Sequence, residues 1–72
     1  MVFVKIKTII EDIGIEEEIT EASRLYEDLA LDSTELALVS TALAKTFGIH
    51  IESRALRTYS VGQVMEAIAL KA

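Results

Sequence analysis

Cysteine, proline and tryptophan are absent from this 72-residue chain, which has three glycines and one histidine. Without cysteine there is no disulfide, no thiolate metal site and no thiol nucleophile. A secreted domain this small ordinarily needs such staples, so the chain reads as cytoplasmic. The lack of proline and scarcity of glycine exclude a low-complexity linker, and no internal repeat is visible. Long apolar runs are missing too. The longest uncharged stretch, Leu36 to Ala44, falls far short of the roughly 20 apolar residues that span a bilayer, so no membrane association is expected. No basic leader precedes an apolar run at the N-terminus, and a signal peptide is not expected. No calcium-loop or glycine-rich phosphate motif is present, and His50 alone makes no zinc site. A catalytic Ser33/His50/Asp32 triad would need His50 to fold back along a helix of about fourteen residues, some 21 Å at about 1.5 Å per residue. Neither a metal site nor a catalytic residue is expected.

What remains is short, apolar and acidic. A chain of this length forms one domain, residues 1–72, and buries roughly 60% of its unfolded surface. Its net charge of −5 is unevenly spread: residues 11–35 hold ten acids against Arg24, a local balance of −9, whereas the segments on either side are each +2. Such a block repels phosphate backbones, so no nucleic-acid partner is expected, and it steers basic partners.

The apolar pattern is helical. Val2, Ile6, Ile9, Ile10 and Ile13 share one face, with Gly14 placed to end the helix. The alternation in Phe3-Val4-Lys5-Ile6-Lys7 also suits a strand, but the helical spacing holds to Ile13 and no second strand is available to pair. Residues 14–31 lack a sustained period and read as a long loop anchored by Ile15, Ile19, Leu25 and Leu29; a loop this long in so small a domain is unusual and often functional. A strong start signal follows. Asp32 at the N-cap and Glu35 at N3 form a capping-box variant, with Leu31 and Leu36 as hydrophobic staple. Leu36, Val39, Leu43 and Phe47 give that helix its buried face, and Gly48 stops it. The signature recurs in Ser60 and Gln63, with Tyr59 and Val64 as staple, ahead of a helix whose core face is Val61, Val64, Met65 and Ile68. One short helical turn fits Ser53 to Thr58 around Ala55 and Leu56. The expected fold is all-α: a small bundle of three main helices, one short helix and a long first loop.

Cap geometry puts Ser33 at N1 with its hydroxyl facing solvent, where free backbone N–H groups and the helix dipole favour an attached anion such as a phosphodiester. By position alone Ser33 reads first as an ordinary helix-start serine.

The stretch Asp28-Leu29-Ala30-Leu31-Asp32-Ser33, the amphipathic helix ending Phe47-Gly48-Ile49, the upstream Glu27-Asp28-Leu29, and Tyr59-Ser60-Val61 at the last helix together resemble the acyl carrier protein family over nearly the whole chain. The resemblance implies an acyl-carrier-like four-helix bundle that is not an enzyme, with a phosphopantetheine arm transferred from coenzyme A to Ser33. It implies as partners a phosphopantetheinyl transferase, an acyl- or aminoacyl-loading enzyme and a downstream synthase or transferase, and a monomeric chain. Asp32 would cap the helix and help the transferase or its metal ion approach. Leu31, Thr34, Glu35, Ala37, Leu38 and Thr41 would form the surface that partners read. Two features depart from the family pattern. Thr34 stands where the family has leucine after its serine, and after Glu35 the second helix lacks the acids that dock fatty-acid enzymes, with Leu38 at a usual acid position. These departures point to a discrete carrier of polyketide, nonribosomal peptide or specialised fatty-acid synthesis. The alternative is a non-covalent helical interaction module with Ser33 unmodified.

Overall fold

The computed structural model describes residues 1–71 and contains four helices: α1 (Val2–Asp12), α2 (Ser33–Phe47), α3 (Ser53–Leu56) and α4 (Val61–Lys71). The N-terminal segment is helix rather than strand. Ile6 and Ile10 are fully buried one turn apart, and Val2, Phe3, Ile9 and Ile13 pack beside them. That arrangement requires the 3.6-residue period, which the five-residue alternation cannot supply. α1 packs on both α2 and α4, and α3 lies along α2.

α2 begins and ends where its residues dictate. The Asp32 carboxylate accepts from the Glu35 amide at 2.8 Å, and the Glu35 carboxylate accepts from the Asp32 amide at 2.9 Å. Leu31 and Leu36 are both fully buried beneath that cap, as a staple requires. At the other end Gly48 adopts φ 70° and donates its N–H to the Ala44 carbonyl, a left-handed cap that glycine enters without steric cost. Leu36, Val39 and Leu43 form the buried stripe, while Phe47 is half-buried at the helix end. On α4, Val61, Val64 and Ile68 are buried and Met65 packs at the margin.

The long loop is pinned more firmly than its sequence suggests. Ile19, Leu25, Leu29 and Leu31 are core residues and Ile15 packs against them. Its backbone pairs antiparallel with the entry to α4: Leu25 donates to the Tyr59 carbonyl at 3.0 Å, Val61 to the Ser23 carbonyl at 2.9 Å and Gly62 to the Glu21 carbonyl at 2.8 Å. The first amides of a helix have no partner within it, so here the loop supplies the acceptors. Ser60 and Gln63 complete the cap, the Ser60 hydroxyl accepting from the Gln63 amide and the Gln63 side chain accepting from the Ser60 amide. The close approach favours glycine at 62, since a Cβ there would sit 3.1 Å from the Glu21 carbonyl oxygen and push the loop back by a few tenths of an ångström.

The acids of the block, Glu35 excepted, are exposed, and among the described residues one ion pair forms, Arg24 with Glu27 at 3.2 Å. Their mutual repulsion is greater in the folded chain than in the extended one. Raising ionic strength from a few millimolar to about 0.1 M, where the Debye length is about 10 Å, is therefore expected to raise the melting temperature by several degrees. A thermal melt that ignores salt would show the acids already too well spaced to repel.

Candidate functional site

The cap that starts α2 leaves Ser33 uncommitted. Asp32 is the N-cap, and the box it makes with Glu35 engages the amides of residues 32 and 35. The Ser33 hydroxyl and the amides of Ser33 and Thr34 stay outside that box. The other four serines are each buried or half-buried. Ser23 bonds to the Thr20 amide, Ser40 donates to the Ile51 carbonyl, Ser53 starts α3, and Ser60 caps α4. Ser33 is thus the exposed serine of the chain, presented on a rigid helix start.

Removing the cap and removing the neighbouring hydroxyl should have different consequences. Asp32→Ala is expected to cost about 1 kcal/mol, a drop of about 4–8 °C in melting temperature for a domain of this size. Parallel melts of Asp32→Ala and Ser33→Ala check this; greater damage from Ser33→Ala would place the cap one residue later.

Two shallow clefts flank Ser33. One of about 210 Å³ is bounded by Ser33, Leu36, Ser53, Arg54 and Arg57. The other, about 240 Å³, is bounded by Tyr26, Asp32, Ser33 and Arg57. The Arg57 guanidinium lies over the Tyr26 ring, 4.4 Å from its centroid. An anion beside Ser33 would meet Arg54 of α3 and Arg57 at its C-cap as well as the helix start of α2. The sequence reading missed these arginines. The signal was faint: Arg54 lies in the four-residue α3 and Arg57 is its C-cap, and only the fold reveals where they stand relative to Ser33.

Of the six residues expected to form a surface around Ser33, four are exposed. Thr34, Ala37, Leu38 and Thr41 are exposed on α2. Leu38, at 53% exposure, lies outside the core stripe and borders a cleft of about 360 Å³ with Ile9, Asp12, Ile13 and Ala42. Leu31 must be struck from that surface. It is fully buried, because the backbone turns into α2 with the N′ side chain folded under the cap, and its amide bonds to the Leu25 carbonyl at 3.1 Å. Glu35 is half-buried and its carboxylate is held in the capping box.

His50 lies elsewhere than its distance in sequence suggests. The chain doubles back after Gly48, so His50 borders a cleft with Ser40, Glu52, Ser53 and Arg54. Ser40 is still two helical turns from Ser33, about 10 Å along the axis at about 1.5 Å per residue, and the geometry assembles no triad.

Residues 4–68 match the family model described as phosphopantetheine attachment site. No solved structure matches the chain.

Proposed function

The chain belongs to the phosphopantetheine attachment-site family, whose members carry that group covalently, and from that premise we propose that it is a carrier domain with its arm on Ser33. The observation that carries this reading is the exposed, uncommitted Ser33 hydroxyl at N1 of α2. The residues present fit a phosphodiester: a primary hydroxyl to esterify, two uncommitted helix amides, and two arginines bordering the adjoining clefts. When bound, the group supplies a thiol that holds a cargo as a thioester.

The chain's own part is presentation. Asp32 and Glu35 lock the start of α2, so the Ser33 backbone is held in place and its hydroxyl is offered free to a transferase using coenzyme A. The core beneath, Leu31 and Leu36, keeps that turn from fraying. No residue here performs the acyl chemistry. A flexible tether raises the effective concentration of its cargo at each docked enzyme, and that is the service the domain provides to loading and downstream synthase or transferase enzymes. Docking falls to the exposed face of Thr34, Ala37, Leu38 and Thr41. Because that face is neutral and apolar beyond Glu35, we place the domain in polyketide, nonribosomal peptide or specialised fatty-acid synthesis rather than with partners that read acids.

Incubation with coenzyme A and a promiscuous phosphopantetheinyl transferase, followed by intact mass measurement, tests the reading. A single increment of one phosphopantetheine, mapped to the peptide containing Ser33, is expected. An unchanged mass would leave a plain helical interaction module.

A further inference from the structure

We infer that Arg57, braced on the Tyr26 ring, receives the phosphate of the arm and sets the direction in which the arm leaves Ser33; the inference rests on Ser33 being the attachment residue. Arg57 borders both clefts that open beside Ser33, with Arg54 in one and Tyr26 and Asp32 in the other. The chain has twelve acids and seven lysines and arginines. Yet among the described residues its one ion pair is Arg24 with Glu27, so neither Arg54 nor Arg57 is spent on a carboxylate. Lys5, Lys7, Lys45 and Lys71 make no ion pair there either, so it is the position of Arg54 and Arg57 beside Ser33 that places them to meet an anion.

The stacking contact explains how Arg57 can do so without a salt bridge to hold it. With its guanidinium over the Tyr26 ring, the arginine gains a fixed platform through a cation–π contact. Its edge N–H donors stay available, in the planar fork that suits phosphate oxygens. Asp32 shares the Tyr26 cleft, and its carboxylate would repel a phosphodiester on its own side. Repulsion from Asp32 and attraction to Arg57 together send the arm over α3. The exposed face of α2 around Leu38 is then left uncovered for partners.

The test uses the full chain loaded by the transferase, observed by phosphorus NMR and by the arginine Nε–Hε resonances. Loading is expected to shift the Arg57 resonance. In Arg57→Gln the phosphorus signal should move to the position of a free phosphodiester in solution, and Arg57→Lys should restore part of the difference. Tyr26→Ala should mimic Arg57→Gln in part, by freeing the arginine. Both positions are exposed, and the resonance shift in the unsubstituted chain needs no variant to fold. A phosphorus signal identical in the unsubstituted and Arg57→Gln chains, with the Arg57 resonance unmoved on loading, overturns this inference alone. A chain that gains no mass overturns the attachment reading along with it.

Discussion

Ser33→Ala is expected to abolish phosphopantetheine loading completely while the melting temperature barely changes. The loss is total because no other serine offers a comparable hydroxyl. Ser40 and Ser60 are engaged in hydrogen bonds, Ser23 is buried, and Ser53 is half-buried at the start of α3. The stability change is small because the hydroxyl lies outside the capping box and faces solvent, and ordinary surface substitutions stay within about 0.5 kcal/mol. Thr34 is the informative control, since it is the adjacent exposed hydroxyl. Intact mass of the alanine variant after exhaustive incubation with transferase decides the matter, beside circular dichroism to confirm the helices. Loading that persists on Thr34 would move the site by one residue; loading elsewhere would remove it from the start of α2.

Leu31 and Leu38 should give opposite results although both are leucines near Ser33. Leu31→Ala removes a fully buried side chain beneath the cap and is expected to cost about 2–5 kcal/mol. A domain of this length has a total stability of about 4–11 kcal/mol at about 0.05–0.15 kcal/mol per residue, so that variant should melt far below the unsubstituted chain, and at the low end of that range it should be unfolded. Leu38→Glu should leave the melt nearly unchanged, because the side chain is already half in solvent. Its effect should appear in docking. Burying the remaining half of a leucine is worth about 1 kcal/mol, and a carboxylate driven into an apolar contact adds a desolvation cost. A loss of tenfold or more in affinity for the cognate enzyme follows, since about 1.4 kcal/mol is a factor of ten. Denaturant melts and binding titrations at two salt concentrations separate the two effects. If Leu38→Glu binds unchanged, the acids of the loop become the docking candidates.

The capping boxes were fully legible in sequence. A cap is a contract between residues three apart, and Asp32 with Glu35 and Ser60 with Gln63 state it outright. The burial of Ile6, Ile10, Val39 and Leu43 was legible from period alone. Leu31 misled in one respect. The staple rule assigned it to the core, whereas its adjacency to Ser33 suggested surface, and packing decided for the core. The arginines beside Ser33 were hidden because α3 reaches Ser33 only through the reversal at Gly48, and nothing local to residues 54–57 encodes that approach. The left-handed turn at Ala30, φ 56°, was hidden likewise. Alanine carries no signal for that conformation, which its surroundings impose through the Leu31-to-Leu25 hydrogen bond.

The pairing of residues 21–25 with the entry to α4 also has a kinetic meaning. Those hydrogen bonds join parts of the chain separated by the whole of α2 and α3, so they form only after a large loop has closed, and closure entropy delays them. Helices with their own caps can appear first, and this seam closes behind them. On opening, the order reverses: the loop cannot peel away without uncapping α4, so the segment leading from α1 to Ser33 is released as a cooperative unit and does not fray residue by residue. The segment leading to the serine is therefore held by contacts that form only after a large loop has closed, as are those of α1 with α4.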